Sequence, residues 1–349
     1  MQTRLSALSA ILIGSVFVAA PAAAADPAAE FYKGKQLTII GSTDPGGAYD
    51  THARILARHI GKHIPGHPNI IVQNMPGANG LKTTNYMANA APHDGSVIAG
   101  VHSSVPTAPL TSPDGVQFDV NKLSWLGSIT KDTFVGYVWH TAPIQGLNDA
   151  KTTPIIMGGT GVGAAGVDMA ILANDFFGFK FKIVTGYKSA TEVRIAIERG
   201  EVQGTFMTNW PDVKAGQAAW LRENKIRVIS QYGFEPHPDL PDVPLFIDQA
   251  KTDADRQALL LMLARQEFGK PYFAPPDIPA DRLAILRRAF DDTMKDREFV
   301  AETNKAGLGV DGPLSGEALA AIVAKVAATP RSAVARIEQA ITAFTAGAR

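Results

Sequence analysis

Short β-branched runs alternate with longer amphipathic runs along this chain, and that alternation restricts its fold more than any other feature. Gln36–Gly41, Asn69–Gln73 and Ser96–Val101 read as buried strands. Between the first two, Ala53, Leu56, Ala57, Ile60 and Ile64 fall at helical spacing, and Gly61 and Pro65 mark the end of that helix. The middle repeats the theme. Pro154–Met157 is a strand, Val167–Phe177 a helix stopped by Gly178, Phe181–Thr185 a strand, and Ala190–Arg199 a helix stopped by Gly200. Gln203–Met207 and Ile226–Ser230 follow as strands. Such β–α–β units build mostly parallel sheets covered by helices, so the expected class is α/β.

The tail changes character. Pro275, Pro276 and Pro279 stiffen the approach to a helix marked by Leu283, Leu286, Phe290 and Met294. Gly312-Pro313 then breaks the chain before two closing helices. At 349 residues the chain is long enough for two lobes.

Charge and cysteine content exclude several classes. Thirty-three basic residues balance 33 acidic ones, and no run of Lys and Arg appears, which argues against a nucleic-acid partner. With no cysteine there is no thiol nucleophile, no Cys-ligated metal, no disulfide and no lipidated cysteine.

The N-terminus reads as a targeting segment. Arg4 supplies a positive start, Leu5–Ala20 is apolar and uncharged, and Ala23-Ala24-Ala25 offers a small-residue cleavage site. Removing residues 1–25 from the 349 would leave 324, and losing Arg4 would leave 32 basic against 33 acidic residues. No later segment approaches the ~18 uncharged apolar residues of a spanning helix, so the expected product is exported and soluble.

Three loops follow strands and precede helices, where open sheets bind ligands. Asp44–Asp50 carries Pro45, Gly46, Gly47, Tyr49 and Asp50; it reads either as an anion-binding turn or as an ordinary turn capped by Asp50. Asn74–Leu81 carries Asn79 and Gly80, and is otherwise a connecting loop. Gly158–Gly166 satisfies G-x-G-x-x-G through Gly161, Gly163 and Gly166. The acid expected about 20 positions on is missing, because that region reads Val184-Thr185-Gly186-Tyr187-Lys188. A glycine-rich anion cradle with the Thr160 hydroxyl as donor fits better than a dinucleotide site, and no cofactor is expected.

The remaining chemistry is weaker. His59 and His63 share a helix face, but the H-E-x-x-H glutamate is absent and a solvated helix end explains them without metal. Ser128–Lys131 matches S-x-x-K without its companion motifs, and no G-x-S-x-G occurs, so no catalytic residue is assigned. Tyr187-Lys188-Ser189 and Asn209-Trp210 could line a cleft, with core packing as the alternative for Trp210.

Together these segments resemble the periplasmic solute-binding proteins of the tripartite tricarboxylate transporters, the Bug receptors, over nearly the whole mature chain. Leu37–Asp50 is similar to that family's first strand and P-G-G-x-x-D. Val72–Gly80 is similar to V-x-N-x-P-G-A-x-G, and Pro92–Ser96 to P-x-D-G-[TS]. Trp125-Leu126-Gly127 resembles W-I-G, and Gly186-Tyr187-Lys188 the Y-[KR]-G region. Gly200–Gln203 resembles G-x-V-[DQ], and Leu240–Pro244 resembles L-P-D-V-P.

The resemblance implies a two-lobed periplasmic binding protein fold of type II, each lobe a mostly parallel sheet flanked by helices. Residues 1–25 would be the signal peptide, 26–129 and 246–349 lobe one, and 130–245 lobe two. It implies a non-enzymatic, monomeric periplasmic receptor. That receptor would close on a small organic carboxylate and deliver it to membrane permease subunits. A sensor subunit for a membrane signalling partner, or a secreted hydrolase, is the alternative. Pro45, Gly46, Gly47, Tyr49 and Asp50, with Asn79, Gly80, His102 and Ser103, would grip the ligand from lobe one. Thr160, Gly161, Tyr187 and Asn209 would face them from lobe two, with backbone N–H groups doing the work of an arginine. The chain departs from the family at Ala48, Tyr49, Ser189 and Leu245, which bears on the ligand's identity more than on the fold.

Overall fold

A computed structural model describes residues 27–347. The targeting segment expected at residues 1–25 lies outside the described residues. In chain order the strands are β1 (Gln36–Gly41), β2 (Asn69–Asn74), β3 (Val97–Gly100), β4 (Ser124–Ser128), β5 (Phe134–Trp139) and β6 (Ile155–Gly158). β7 (Phe181–Val184), β8 (Gly204–Asn209), β9 (Ile226–Tyr232), β10 (Pro271–Ala274) and β11 (Leu314–Ser315) follow.

They form two sheets. The first has the order β11-β4-β10-β3-β1-β2, the second β7-β6-β8-β5-β9. In the first, β1 runs parallel to β2 and β3, while β10 and β11 run antiparallel to their neighbours. In the second, β6 is parallel to β7 and β8, and β5 is antiparallel to β8 and β9. Each sheet is therefore mixed rather than mostly parallel: one or two strands run against the direction of the rest. The first is built from the early and late chain and the second from the middle, so the molecule is two-lobed.

Local sequence explains most elements. Helix Ala48–Ile60 buries Ala53, Ile55, Leu56 and Ile60 against β1, in a core shared with Leu286 and Phe290 of helix Ala280–Lys295. Helix Ala165–Phe177 ends at Gly178, whose φ of 71° is the left-handed turn that glycine takes without strain. Ser189 caps helix Ala190–Glu198 by accepting from the Glu192 N–H, so the hydroxyl that departs from the family pattern has a structural task. The α-helix ends at Ile60 with Gly61 as its C-cap, as expected. The Gly61 backbone stays right-handed, the chain tightens into a 3-10 turn over Gly61–His63, and a Cβ at Gly61 would meet the Pro68 carbonyl at 3.0 Å, so the glycine also allows a close approach.

Elements not legible in the periodicity include β4, β5, β10 and helix Asp253–Glu267. The helix is apolar on several sides because it is covered on several sides. Ala258, Leu261 and Ala264 pack with Trp125 and Phe273 beside the first sheet, while Leu259 and Leu263 pack with Phe246 and Ile229 beside the second. The closing helix Arg331–Gly347 likewise buries Val334 and Ile337 with Val167 and Ile171 of the middle region. Among the described residues no single helix is long and apolar enough to cross a membrane.

Candidate functional site

The chain passes from the first sheet to the second over Ile129–Thr133, and the segment Gln266–Lys270 runs alongside. The Asp132 N–H donates to the Gln266 carbonyl at 2.8 Å, and the Ile129 N–H to the Lys270 carbonyl at 3.1 Å. Lys131 pairs with buried Glu267 at 3.0 Å. The cleft opens beside this crossing, at the C-terminal ends of β1, β3, β6 and β8.

On the first lobe, Pro45, Gly46 and Gly47 form an exposed turn before helix Ala48–Ile60. The free N–H groups of that first turn point out of the helix end. Asp50 is 2% exposed, and the protein uses both of its oxygens. The Gly46 N–H donates to Oδ2 at 2.8 Å, Asn74 Nδ2 to Oδ1 at 2.8 Å, and Arg54 Nε to Oδ2 at 2.9 Å. Burial raises this carboxyl, but those donors outweigh it and hold it below the usual range. Asp50 sits in the first turn rather than at the cap, which is Gly47, and its carboxylate fastens the turn to β2. Tyr49 is anchored too. Its hydroxyl donates to the Gly269 carbonyl at 3.1 Å, its ring lies 4.8 Å from His102, and Lys270 Nζ lies 4.6 Å from the ring centroid.

On the second lobe, the turn after β6 leads into helix Ala165–Phe177, where the N–H groups of Ala165 and Gly166 enter no backbone hydrogen bond among the described residues. Gly166 is required by packing, because a Cβ there would lie 2.2 Å from the Phe206 carbonyl oxygen. This glycine of the G-x-G-x-x-G string lets the helix approach β8. Gly161, by contrast, has open space beside it.

Three cavities meet along the cleft. One of about 300 Å³ lies in the second lobe and includes Thr160, Asn209, Arg194, Phe134 and Met207 in its wall. One of about 260 Å³ lies in the first and includes Asn79, His102, Ser104 and Arg265. Between them one of about 650 Å³ is lined from both lobes, by Ser103, Asp132, Phe134, Met207, Arg265 and Gln266 among others. Phe134 and Met207 belong to the first and third walls, and Arg265 to the second and third, so the spaces adjoin.

The expected residues divide accordingly. Asn79, His102, Ser103, Thr160 and Asn209 line the cavities. Pro45, Gly46, Gly47, Tyr49, Asp50, Gly80, Gly161 and Tyr187 do not. Tyr49 stands directly behind Ser103 and His102. Gly80 is buried against Val105 and Ser42. Tyr187 packs on the core formed by Val193, Ile197 and Val202. Asn209 also caps helix Trp210–Gly216, accepting from the Asp212 N–H at 3.4 Å.

Charged and polar side chains that sequence reasoning missed complete the walls: Asp132, Arg194, Arg265 and Gln266. No ion pair involves Arg265, Arg194 or Lys270 among the described residues. The cleft thus carries cations of its own beside the backbone donors that the resemblance implies. Burial, then the charges of Arg265 and Lys270, hold the His102 imidazole below its usual range. Burial raises the Asp132 carboxyl; Lys270 opposes the shift and Asp212 adds to it. The only signal for Arg265 was a charge following the apolar run Leu259–Ala264.

Other candidates resolve into structure. His59 Nε2 lies 2.7 Å from Glu302, and His63 Nε2 lies 3.1 Å from Asp296. His59, Asp296 and Glu298 are close enough to share an ion, but the Lys62 ammonium bridges the two carboxylates, at 2.5 Å and 2.7 Å. These histidines stitch two helices rather than ending one in solvent. Ser128 is buried and donates to the Thr130 carbonyl at 3.0 Å, so the S-x-x-K match holds no free nucleophile. Trp210 is 5% exposed and packs in the core. The Leu240–Pro244 segment wraps Gln231, whose side chain donates to the Leu240 carbonyl at 2.9 Å.

No protein-family model matches the chain. Protein BugT of Bordetella pertussis is 36% identical over 107 residues, 31% of this chain and 30% of that protein. A UPF0065 protein encoded in the gbd 5' region of Cupriavidus necator is 29% identical over 214 residues, 59% of this chain and 61% of that protein. The chain thus matches less than two thirds of either relative's length. A TctC solute-binding protein from Polaromonas, solved without ligand, superposes with a TM-score of 0.69 at 18% identity, covering 89% of this chain and 99% of the other. The R. palustris protein Rpa4515, solved with adipate, gives 0.51 at 17% identity, covering 88% and 97%. The chain thus shares its two-lobed fold, over nearly its whole length, with the Polaromonas solute-binding protein, and resembles BugT over 107 residues.

Proposed function

We propose that this chain is a receptor that captures a small organic carboxylate between its lobes and presents it to a membrane transporter. The observation that carries this reading is the cleft itself. Unpaired Arg265 and Lys270 stand near it on one side, and the free N–H groups of Ala165 and Gly166, with the Thr160 hydroxyl and Arg194, stand on the other. An anion taken out of water needs such donors, and charge-assisted hydrogen bonds are the stronger kind. A ligand that touches both lobes favours the closed state, because its affinity then differs between open and closed forms. The adipate held by a protein of the same fold is of the chemical class intended.

The reading takes the lobes as 26–129 with 246–349, and 130–245. The mature protein works in the periplasm as a monomer after loss of residues 1–25, with separate permease subunits as its partners. Pro45, Gly46, Gly47, Asn79, His102, Ser103, Thr160, Gly161 and Asn209 remain the proposed binding set, joined by Arg265. Tyr49 and Asp50 hold that set in place.

A thermal-shift screen of mono-, di- and tricarboxylates against neutral solutes tests it. A ligand at a hundred times its Kd stabilises the folded state by about 2.7 kcal/mol, so a true ligand raises the melting temperature by several degrees. Transport of a neutral solute instead would appear as a shift with that solute and none with any carboxylate. Thr160→Val and Gly47→Val are each expected to weaken binding without unfolding the protein, since a Cβ at Gly47 meets open space. Unchanged affinity in both would place the cleft elsewhere.

A further inference from the structure

Phe134 of β5, Ala165 at the start of its helix and Met207 of β8 stand in the walls of both the second-lobe cavity and the larger one between the lobes. A residue shared by two adjoining spaces lies at their junction, so these apolar side chains form a collar there. The walls beyond it carry polar groups, Thr160 and Arg194 on one side and Ser103 and Arg265 on the other. The backbone is bent where it supplies Met207. Along the pairing of β5 with β8, Val135 faces Thr208 and Tyr137 faces Thr205, so Phe206 and Met207 together face Gly136. That is one extra residue on β8, a β-bulge, and bulges beside binding sites re-aim side chains. Met207 has a φ of 51°, in the left-handed region that a bulky residue rarely adopts. Its surroundings make room for the bulge: a Cβ at Gly136 would lie 3.0 Å from the Phe206 ring, and one at Gly166 would strike the Phe206 carbonyl. Strain of this kind persists where the neighbours enforce it, and it collects at binding sites. A glycine would adopt the same backbone freely, so what distinguishes methionine at this position is its side chain.

We propose that Met207, with Phe134, is a specificity-determining residue that selects the width of the ligand's carbon chain. This rests on the receptor reading above and adds to it which residues discriminate between ligands of the same charge. A ligand that meets polar groups in both cavities passes its middle through the collar, between apolar side chains that offer it contact but little spare volume. Met207 is 7% exposed: most of it joins the second-lobe core that holds Met169 and Phe206, and its remaining surface faces the cavities. A slender, unbranched chain fits between such groups. A methyl branch at the middle of the chain must push the Met207 side chain back into that packed core, and overfilling a packed space costs binding energy.

The test is isothermal titration calorimetry with acids paired by one methyl branch: glutarate with 3-methylglutarate, adipate with 3-methyladipate, and hexanoate with 3-methylhexanoate. In the wild type the branched member of each pair that binds should be weaker by about tenfold or more. Met207→Ala should shrink that penalty to about threefold or less, whereas Met207→Leu, which keeps the bulk, should retain it. Phe134→Ala carries the same expectation, so a Met207→Ala chain that fails to fold leaves the test standing. The proposal is overturned if branched and unbranched members bind the wild type equally, or if carboxylates bind but no unbranched member of these pairs does. It is overturned too if the alanine variants weaken all ligands alike and leave the branch penalty as it was, which is the result expected of a side chain that only fills the core. Failure of the receptor reading looks different: no carboxylate of any kind binds.

Discussion

The Tyr49 hydroxyl accepts a hydrogen bond from the Ser103 backbone N–H at 3.2 Å. The same oxygen donates its proton to the Gly269 carbonyl at 3.1 Å. One phenol therefore ties the start of a helix, the loop after β3 and the returning interlobe segment into a single unit. Tyr49→Phe keeps the ring and removes both bonds. It is expected to cost about 1 kcal/mol of stability, measurable by urea unfolding, and to lower ligand affinity by loosening Ser103. Wild-type stability and affinity together would show that this knot does not position the wall.

Arg265 is exposed and pairs with no carboxylate among the described residues. Its loss should therefore leave the fold alone. Arg265→Met is expected to change stability by no more than about 0.5 kcal/mol and to weaken ligand binding by about tenfold to a hundredfold. Calorimetry beside a thermal melt separates the two effects.

The glycines of the Gly158–Gly166 turn are not equivalent. Gly166→Ala would push a methyl group into the Phe206 carbonyl and is expected to destabilise by about 1–3 kcal/mol. Gly161→Ala meets open space and should be nearly silent in stability. Chemical unfolding of both variants checks this contrast, and equal losses would contradict it.

Two histidines give the protein a pH-dependent stability. Burial first, then opposing and reinforcing neighbours, hold His52 and His102 below the usual imidazole range. The unfolded chain binds protons on these groups near their ordinary value of about 6.5, while the folded chain resists them. The unfolded state thus gains protons first as pH falls, and stability drops as pH is lowered through that range and recovers above it. His102→Gln should flatten part of that slope in thermal melts taken from neutral to mildly acidic pH. An unchanged slope would mean that His102 titrates freely.

Much of the fold was legible because helix and strand periodicity is local. The run from Gln36 through Ile64 shows its strand and helix in the spacing of its own apolar residues, and Gly178 and Gly200 mark two stops where the backbone turns left-handed. Helix Asp253–Glu267 was not legible. Its apolar residues face two cores at once and lose the one-sided pattern that announces a surface helix. Strands β5 and β10 were missed for a related reason: both run against the majority direction of their sheets, and only the neighbouring strands explain their place.

The site followed the same division. Thr160, Asn209, Asn79, His102 and Ser103 stand at strand ends, where an α/β chain places its loops, and sequence alone selected them. Tyr49, Asp50 and Tyr187 shared those signals, yet the structure turns them to anchoring and packing. Only the tertiary structure brought Asp132 and Gln266 side by side and set Arg265 in the cleft wall. The order of apolar and polar residues decides which segments form helices and strands, because each segment's period is written within it. Which side chains share a cavity depends on how strands from distant parts of the chain pair and cross, and that is settled by packing across the two sheets.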